Sequence, residues 1–201
     1  MRINEITTSN EITLPGMVAM INRKCAPYIR QMGWNNLLFR GVHPATTPFT
    51  INQCPVNRKP KDTYIEIHNV ADAWFQKNFG VKYRSNAVFA SGSHTQAQSF
   101  GHVYAIFPCG NFKFCWSRDV EDMTKEFSWV RAYMYSDTDD GQGKFEDALA
   151  MARYSDQDLL GAQASGNEIM IHCNEYIMVD VEDGLLDEIK AMQKSIITPD
   201  N

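Results

Sequence analysis

The feature that most constrains this chain is a set of three short apolar segments, far apart in the sequence, that each carry one polar side chain. The segments are residues 37–41 (LLFRG), 88–93 (VFASGS) and 166–171 (GNEIMI). Their apolar and β-branched character is typical of strands or strand ends. The polar groups are Arg40, Ser91 and Glu168. An arginine, a hydroxyl and a carboxylate at strand ends predict a pocket for an anionic ligand, such as a nucleotide, with one charge-handling step.

Length and composition indicate one globular domain. The chain has 201 residues, of which 44% are hydrophobic and 21% charged. We expect a single domain over residues 1–201, long enough to bury a core, and no membrane partner. The first 16 residues lack the pattern of a secretory signal, so a cytoplasmic location is predicted. The net charge of -5 disfavours broad electrostatic capture of nucleic acid.

The cysteines and histidines show no metal or disulfide pattern. Five cysteines are scattered without a pair two residues apart, which predicts reduced thiols. His94 and His102 are eight residues apart and lie in no HExxH helix, so no metal site is expected. The basic run at residues 58–61 is interpreted as a solvated loop, and the acidic turn at 136–144 lacks the ligand spacing of an EF-hand.

Hydrophobic periodicity predicts an α+β fold. An N-terminal helix is expected at about residues 14–31 and a C-terminal helix at about 185–196. Between them we predict a long loop at 42–62, a helix at 63–79, and strands at 102–108 and 112–116 joined by a hairpin-like turn. Asp119 is expected to cap the following helix. No glycine pattern of a Rossmann or P-loop site is present.

The three polar groups fit the cleavage of a glycosidic bond in a dinucleotide. Positive charge develops on the sugar as the leaving group departs, and a carboxylate such as Glu168 stabilises that charge. Arg40 would grip a phosphate or ribose with its fork of donors. Ser91, placed before a glycine that permits close backbone approach, would orient the other two side chains.

These motifs resemble the Arg-Ser-Glu class of mono-ADP-ribosyltransferases, small bacteriophage members in particular. LLFRG is similar to the arginine strand of that family, VFASGS to its serine strand and GNEIMIHCNEYIMV to its glutamate strand and following turn. The resemblance implies a split β-sandwich with flanking helices. It also implies that NAD is the substrate, that ADP-ribose passes to a macromolecular acceptor, more often protein than nucleic acid, and that nicotinamide is released in the host cytoplasm.

Site roles follow residue by residue from the resemblance. It implies that Glu168 is catalytic and that Arg40, Gly41, Ser91 and Ser93 bind NAD. Two positions depart from the family pattern. Gly92 stands where the family usually has Thr, and Gly166 stands where arginine-modifying members have a second Glu. The second departure leaves open a different acceptor, simple NAD hydrolysis or loss of activity.

Three alternatives stay open at this stage. Glu175, in the turn after the glutamate strand, is the other candidate carboxylate, although Glu168 opens an apolar run as the family glutamate does. A non-catalytic phage structural or host-factor-binding protein would keep the fold without needing the polar groups. A cysteine hydrolase would use Cys173 with His43, His94 or His102 as its base.

Overall fold

The computed structural model describes residues 12–43, 45–60, 63–134 and 141–197. Within these ranges the chain forms eight strands and ten helices. The strands are β1 (Leu38–Val42), β2 (Phe49–Gln53), β3 (Val88–Ser91), β4 (His102–Pro108), β5 (Lys113–Ser117), β6 (Tyr154–Ser155), β7 (Glu168–His172) and β8 (Glu175–Asp180). The helices are α1 (Leu14–Lys24), α2 (Ala26–Met32), α3 (Ile65–Phe79), α4 (Tyr83–Asn86), α5 (His94–Gln98), α6 (Met123–Glu126), α7 (Val130–Met134), α8 (Gly141–Met151), α9 (Leu159–Ser165) and α10 (Leu185–Ile197).

The eight strands make one open antiparallel sheet that divides into two halves. The order is β2-β8-β4-β1-β3-β7-β5-β6. β1 pairs with β4 along its whole length, and β3 likewise with β7, but β1 and β3 share the one residue pair Phe39 and Ser91. The α+β prediction is confirmed. The specific ADP-ribosyltransferase arrangement stays a prediction.

Two hydrophobic clusters lie on opposite faces of the sheet at β3, β5 and β7, because successive strand residues point to opposite sides. Ile169 and Ile171 of β7 belong to the larger cluster, whereas Met170 between them belongs to the smaller one. In the larger cluster the ring of Phe107 lies 5.9 Å from that of Tyr28 in α2. The smaller cluster is filled by α3, α4 and α8. Burial on both faces explains why β4 reads as a continuous apolar run.

The N-terminal helix is two helices, not the single helix predicted at about 14–31. α1 ends at Lys24, Cys25 separates the two, and Pro27 lies in the first turn of α2. A proline has no N–H to continue the ladder of the preceding helix, but it is well tolerated in the first turn of a new one. The C-terminal helix is confirmed, at Leu185–Ile197. No helix within the described ranges is long and apolar enough to cross a membrane.

Three local predictions are wrong, two of them because strand pairing is not set by the nearest turn. The loop predicted at 42–62 contains β2, which pairs with β8. The turn after β4 does not make a hairpin, since β4 pairs with β1 and β8 while β5 pairs with β6 and β7. The helix cap is Asp122 at α6, not Asp119. The turn at 136–144 lies largely outside the described residues.

Candidate functional site

A cleft of about 640 Å³ opens where the two halves of the sheet separate. This volume falls within the roughly 300–1,000 Å³ of ligand pockets in general. Four of the five residues predicted for the site line it: Arg40, Gly41, Ser91 and Glu168. Ser93 does not line the cleft. Its hydroxyl caps α5 by accepting the N–H of Gln96 at 3.2 Å.

Arg40 lies on the β1 side of the division and reaches across it. Its Nη1 donates to the carbonyl oxygen of Phe89 in β3 at 2.9 Å, so the guanidinium is held where the two strands splay apart. The side chain is half-buried. An arginine fixed by one backbone bond keeps further N–H donors that could meet an anion in the cleft.

Ser91 is buried, and its hydroxyl makes hydrogen bonds to other groups of the protein. Its Oγ lies 2.5 Å from the carbonyl oxygen of Gly166 and 2.6 Å from Oε1 of Gln96, and it accepts the N–H of Ser93 at 2.9 Å. A hydroxyl carries one proton, so it donates to one of these oxygens at a time. These contacts tie the end of β3 to the start of β7, where Glu168 lies. The hydroxyl makes no described bond to the side chain of Arg40 or Glu168, so the predicted orienting role stays a prediction.

Glu168, the carboxylate predicted to be catalytic, lies in the cleft. It pairs in register with Ser91 across β3 and β7, and its side chain is 16% exposed. Burial raises its pKa, Arg84 opposes that rise, and the negative charge of Asp122 adds to it. Glu175 is placed elsewhere: it pairs with Lys24 at 2.5 Å and does not line the cleft. Of the two candidate glutamates, Glu168 is therefore the one that a ligand in the cleft can meet.

Two further arginines line the cleft, and neither was predicted from the sequence as a site residue. Arg58 and Arg84 both stack on the ring of Phe89, with guanidinium carbons 3.9 and 4.5 Å from its centre. Nη2 of Arg58 also donates to the carbonyl oxygen of Arg84 at 2.9 Å. Arg58 comes from the basic run interpreted as a solvated loop, so that interpretation is wrong for this residue.

The three guanidinium groups make one concentrated positive site. Burial, together with the charges of Arg84 and Arg40, lowers the pKa of Arg58 to about 10. Such a shift means that the cations repel one another in a partly desolvated place. An anionic ligand bound among them would relieve that repulsion. The sequence signal was present as an arginine just before β3 and another in a loop rich in proline, but neither position shows which way its side chain turns.

Backbone geometry explains both glycine departures from the family pattern: close packing at Gly92 and a left-handed conformation at Gly166. A Cβ added at Gly92 would lie 1.7 Å from the carbonyl oxygen of Gln163 in α9, so threonine has no room there. Gly166 ends α9 in the left-handed conformation, with φ of 74°. A glutamate at that position would be strained. The second carboxylate of arginine-modifying enzymes therefore has no counterpart at position 166.

The cysteine-hydrolase alternative finds no support in the geometry. Cys173 is 5% exposed, and its hydrogen bond with Cys54 and its burial raise the pKa of the thiol. Of the proposed bases, His43 lines the cleft, His94 packs against Phe39 and His102 pairs with Asp180. Among the described residues, no group of three or more His, Cys, Asp or Glu side chains is arranged to hold a metal ion.

Comparison with known proteins gives no relative: no family model, no characterised protein and no solved structure matches the chain.

Proposed function

We propose that this protein is an NAD-dependent mono-ADP-ribosyltransferase whose reaction takes place in the cleft between the two halves of the sheet. The observation that carries the proposal is the convergence of three arginines with the largely buried carboxylate of Glu168 in a single cleft of suitable volume. Their separation in the chain, from Arg40 to Glu168, makes this convergence a property of the fold.

The arginines are suited to a pyrophosphate. Guanidinium groups present several N–H donors in fixed directions, which matches the oxygens of phosphate groups. Arg40 and Arg58 each have one described backbone partner, which leaves other donors for a ligand. Phe100, which lines the same cleft and is 55% exposed, offers an aromatic surface to a base.

Glu168 would supply the chemistry. When the bond between nicotinamide and ribose breaks, its electron pair leaves with nicotinamide, which departs neutral and needs no proton. Positive charge grows on the ribose, and a carboxylate beside it lowers the energy of that state. The nucleophile of the acceptor then forms the new bond to the ribose carbon and releases its proton. Because Gly166 leaves no second carboxylate at its position, arginine side chains are not the favoured acceptor.

The test is to incubate the purified protein with NAD labelled in its adenylate phosphate and with bacterial lysate. We expect label in a macromolecular fraction that is sensitive to protease. Glu168→Gln should lower the initial rate by at least about 100-fold, as removal of a group that stabilises transition-state charge does. Asp119→Asn is the matched control, because Asp119 is a paired carboxylate outside the cleft, and it should retain the rate.

Other outcomes separate the alternatives. Label that is sensitive to nuclease would identify a nucleic-acid acceptor, and free ADP-ribose alone would indicate NAD hydrolysis. If the protein releases no nicotinamide and NAD causes no thermal shift, the non-catalytic binding protein is favoured. Transfer that survives in Glu168→Gln would show that the catalytic residue is wrongly assigned.

A further inference from the structure

Arg84 makes the one described side-chain hydrogen bond to Glu168. Its Nη1 donates to Oε1 of Glu168 at 2.8 Å, and the two side chains are 7% and 16% exposed. Among the described residues, the other oxygen of Glu168, Oε2, has no hydrogen-bond partner, while the residue lines the cleft. One carboxylate oxygen is thus held by the protein and the other is the atom that a ligand can meet.

Arg84 is itself held from three sides. Its backbone N–H donates to Oδ1 of Asp72 at 2.8 Å, and its carbonyl oxygen accepts Nη2 of Arg58 at 2.9 Å. Its guanidinium rests on the ring of Phe89. Asp72 is 5% exposed and also accepts the N–H and the hydroxyl of Ser85. This network fixes α4 against α3 and leaves the guanidinium of Arg84 little freedom to move away from β7.

The charges around Glu168 make Arg84 its main counter-ion. Burial and the carboxylate of Asp122 both raise the pKa of Glu168, and the guanidinium groups of Arg84 and Arg58 lower it, Arg84 more strongly. Tyr154 and Cys115 also face this region, and burial raises the pKa of both groups, so they are uncharged at neutral pH. Without Arg84, a carboxylate this deeply buried would take up a proton at a higher pH.

We propose that Arg84 is a positioning residue for Glu168, which keeps the carboxylate ionised near neutral pH and orients it toward the cleft. Its role in catalysis rests on the proposed transferase function. Its effect on the ionisation of Glu168 does not, because that effect is a property of the protein without ligand.

The test is a carbon-13 NMR titration of glutamate carboxyl groups, with the Glu168 signal assigned by its loss in Glu168→Gln. In the wild-type protein we expect this signal to be that of an ionised carboxylate at pH 7. In Arg84→Met and Arg84→Gln its pKa should rise by about 1 to 3 pH units, the usual effect of one adjacent opposite charge. Arg153→Met removes an arginine that is paired with Asp119 at the surface, and it should leave the Glu168 signal unchanged.

An unshifted Glu168 titration in a folded Arg84 variant would overturn the proposal. So would a protonated Glu168 in the wild-type protein at pH 7, a result that needs no variant to fold. A rise in the Arg84 variants that is matched in Arg153→Met would also contradict it, because the effect would then come from general charge.

Nicotinamide release from NAD, followed against pH, tests the catalytic part. If the reaction needs ionised Glu168, the acid limb of the profile for Arg84→Gln should move to higher pH by the same amount as the NMR titration. If the NMR titration of Glu168 shifts in Arg84→Gln but the acid limb of the rate profile does not move, the positioning role is contradicted. Absence of NAD cleavage by the wild-type protein would overturn the proposed function alone, since the titration still decides whether Arg84 sets the ionisation of Glu168.

Discussion

Two arginine–carboxylate pairs in this protein differ in almost everything except their chemistry. Arg84 and Glu168 are joined by one hydrogen bond of 2.8 Å, with side chains 7% and 16% exposed. Arg153 and Asp119 are joined by two, from Nε and Nη2 to the two carboxylate oxygens, with side chains 64% and 34% exposed. The better geometry is therefore at the surface, and the poorer geometry is in the cleft.

Exposure to solvent determines which of the two pairs contributes more to the stability of the fold. Water competes for both partners of the surface pair and screens their attraction, so such pairs contribute little to stability. In the cleft each charge has lost most of its water and depends on the other. The hydrogen bond from Arg153 lowers the pKa of Asp119, whereas burial raises that of Glu168 despite its arginine. The pair whose partners depend most on each other therefore lies in the cleft.

The largest expected effect comes from breaking the buried pair. Arg84→Met should lower the free energy of unfolding by about 3 to 5 kcal/mol, the usual loss when one partner of a buried pair is removed. Arg153→Met should leave the urea midpoint nearly unchanged. Urea denaturation at pH 7, followed by circular dichroism, measures both. Equal losses in the two variants would show that burial does not distinguish the pairs.

Two extensions sharpen the same comparison. In Arg84→Met the unpaired Glu168 gains a folded-state pKa further above its unfolded value, so stability is lost as the pH rises through that range. The deficit in the free energy of unfolding should accordingly be smaller at pH 5 than at pH 8.

Replacing both partners, in Arg84→Met with Glu168→Met, should recover much of the loss, because no unpaired charge remains. A double variant as unstable as Arg84→Met would contradict this explanation.

A histidine–carboxylate contact of intermediate exposure should give an effect between those of Arg84→Met and Arg153→Met. His102 is 26% exposed and contacts Asp180 through Nε2 at 2.5 Å and Glu182 through Nδ1 at 3.0 Å. The hydrogen bond to Asp180 raises the pKa of His102, so the folded state favours the protonated ring. Its stabilisation is complete below the ordinary histidine pKa of about 6.5 and is lost as the pH rises through the folded pKa.

Urea denaturation of the wild type and His102→Gln between pH 5 and 9 measures this contribution. The difference in free energy of unfolding should be largest at pH 5 and should shrink toward alkaline pH. A difference that does not change with pH would mean that His102 acts through packing and not through its charge.

The sequence predicts the strands that carry Arg40, Ser91 and Glu168 because each is a short apolar run with one polar residue. Apolar periodicity also predicts α3 and α10. These signals are local, since they reflect which residues a strand or an amphipathic helix must bury.

The arginine partner of Glu168 could not be predicted in the same way. Arg84 lies in α4, a four-residue helix just before β3, and its backbone N–H is held by Asp72 from α3. The false hairpin after β4 has the same origin: pairing depends on which distant strand completes the sheet. Long-range contacts of this kind leave no period in the chain.

The central claim is that the cleft at the division of the sheet holds NAD among its arginines with Glu168 against the ribose. The most direct measurement is a crystal structure with an NAD analogue that resists cleavage because carbon replaces the ring oxygen of its nicotinamide ribose. We predict pyrophosphate oxygens within about 3 Å of the guanidinium groups of Arg40 or Arg58, and the Glu168 carboxylate beside the ribose. An analogue bound outside the cleft, or none bound at saturating concentration, would contradict the claim.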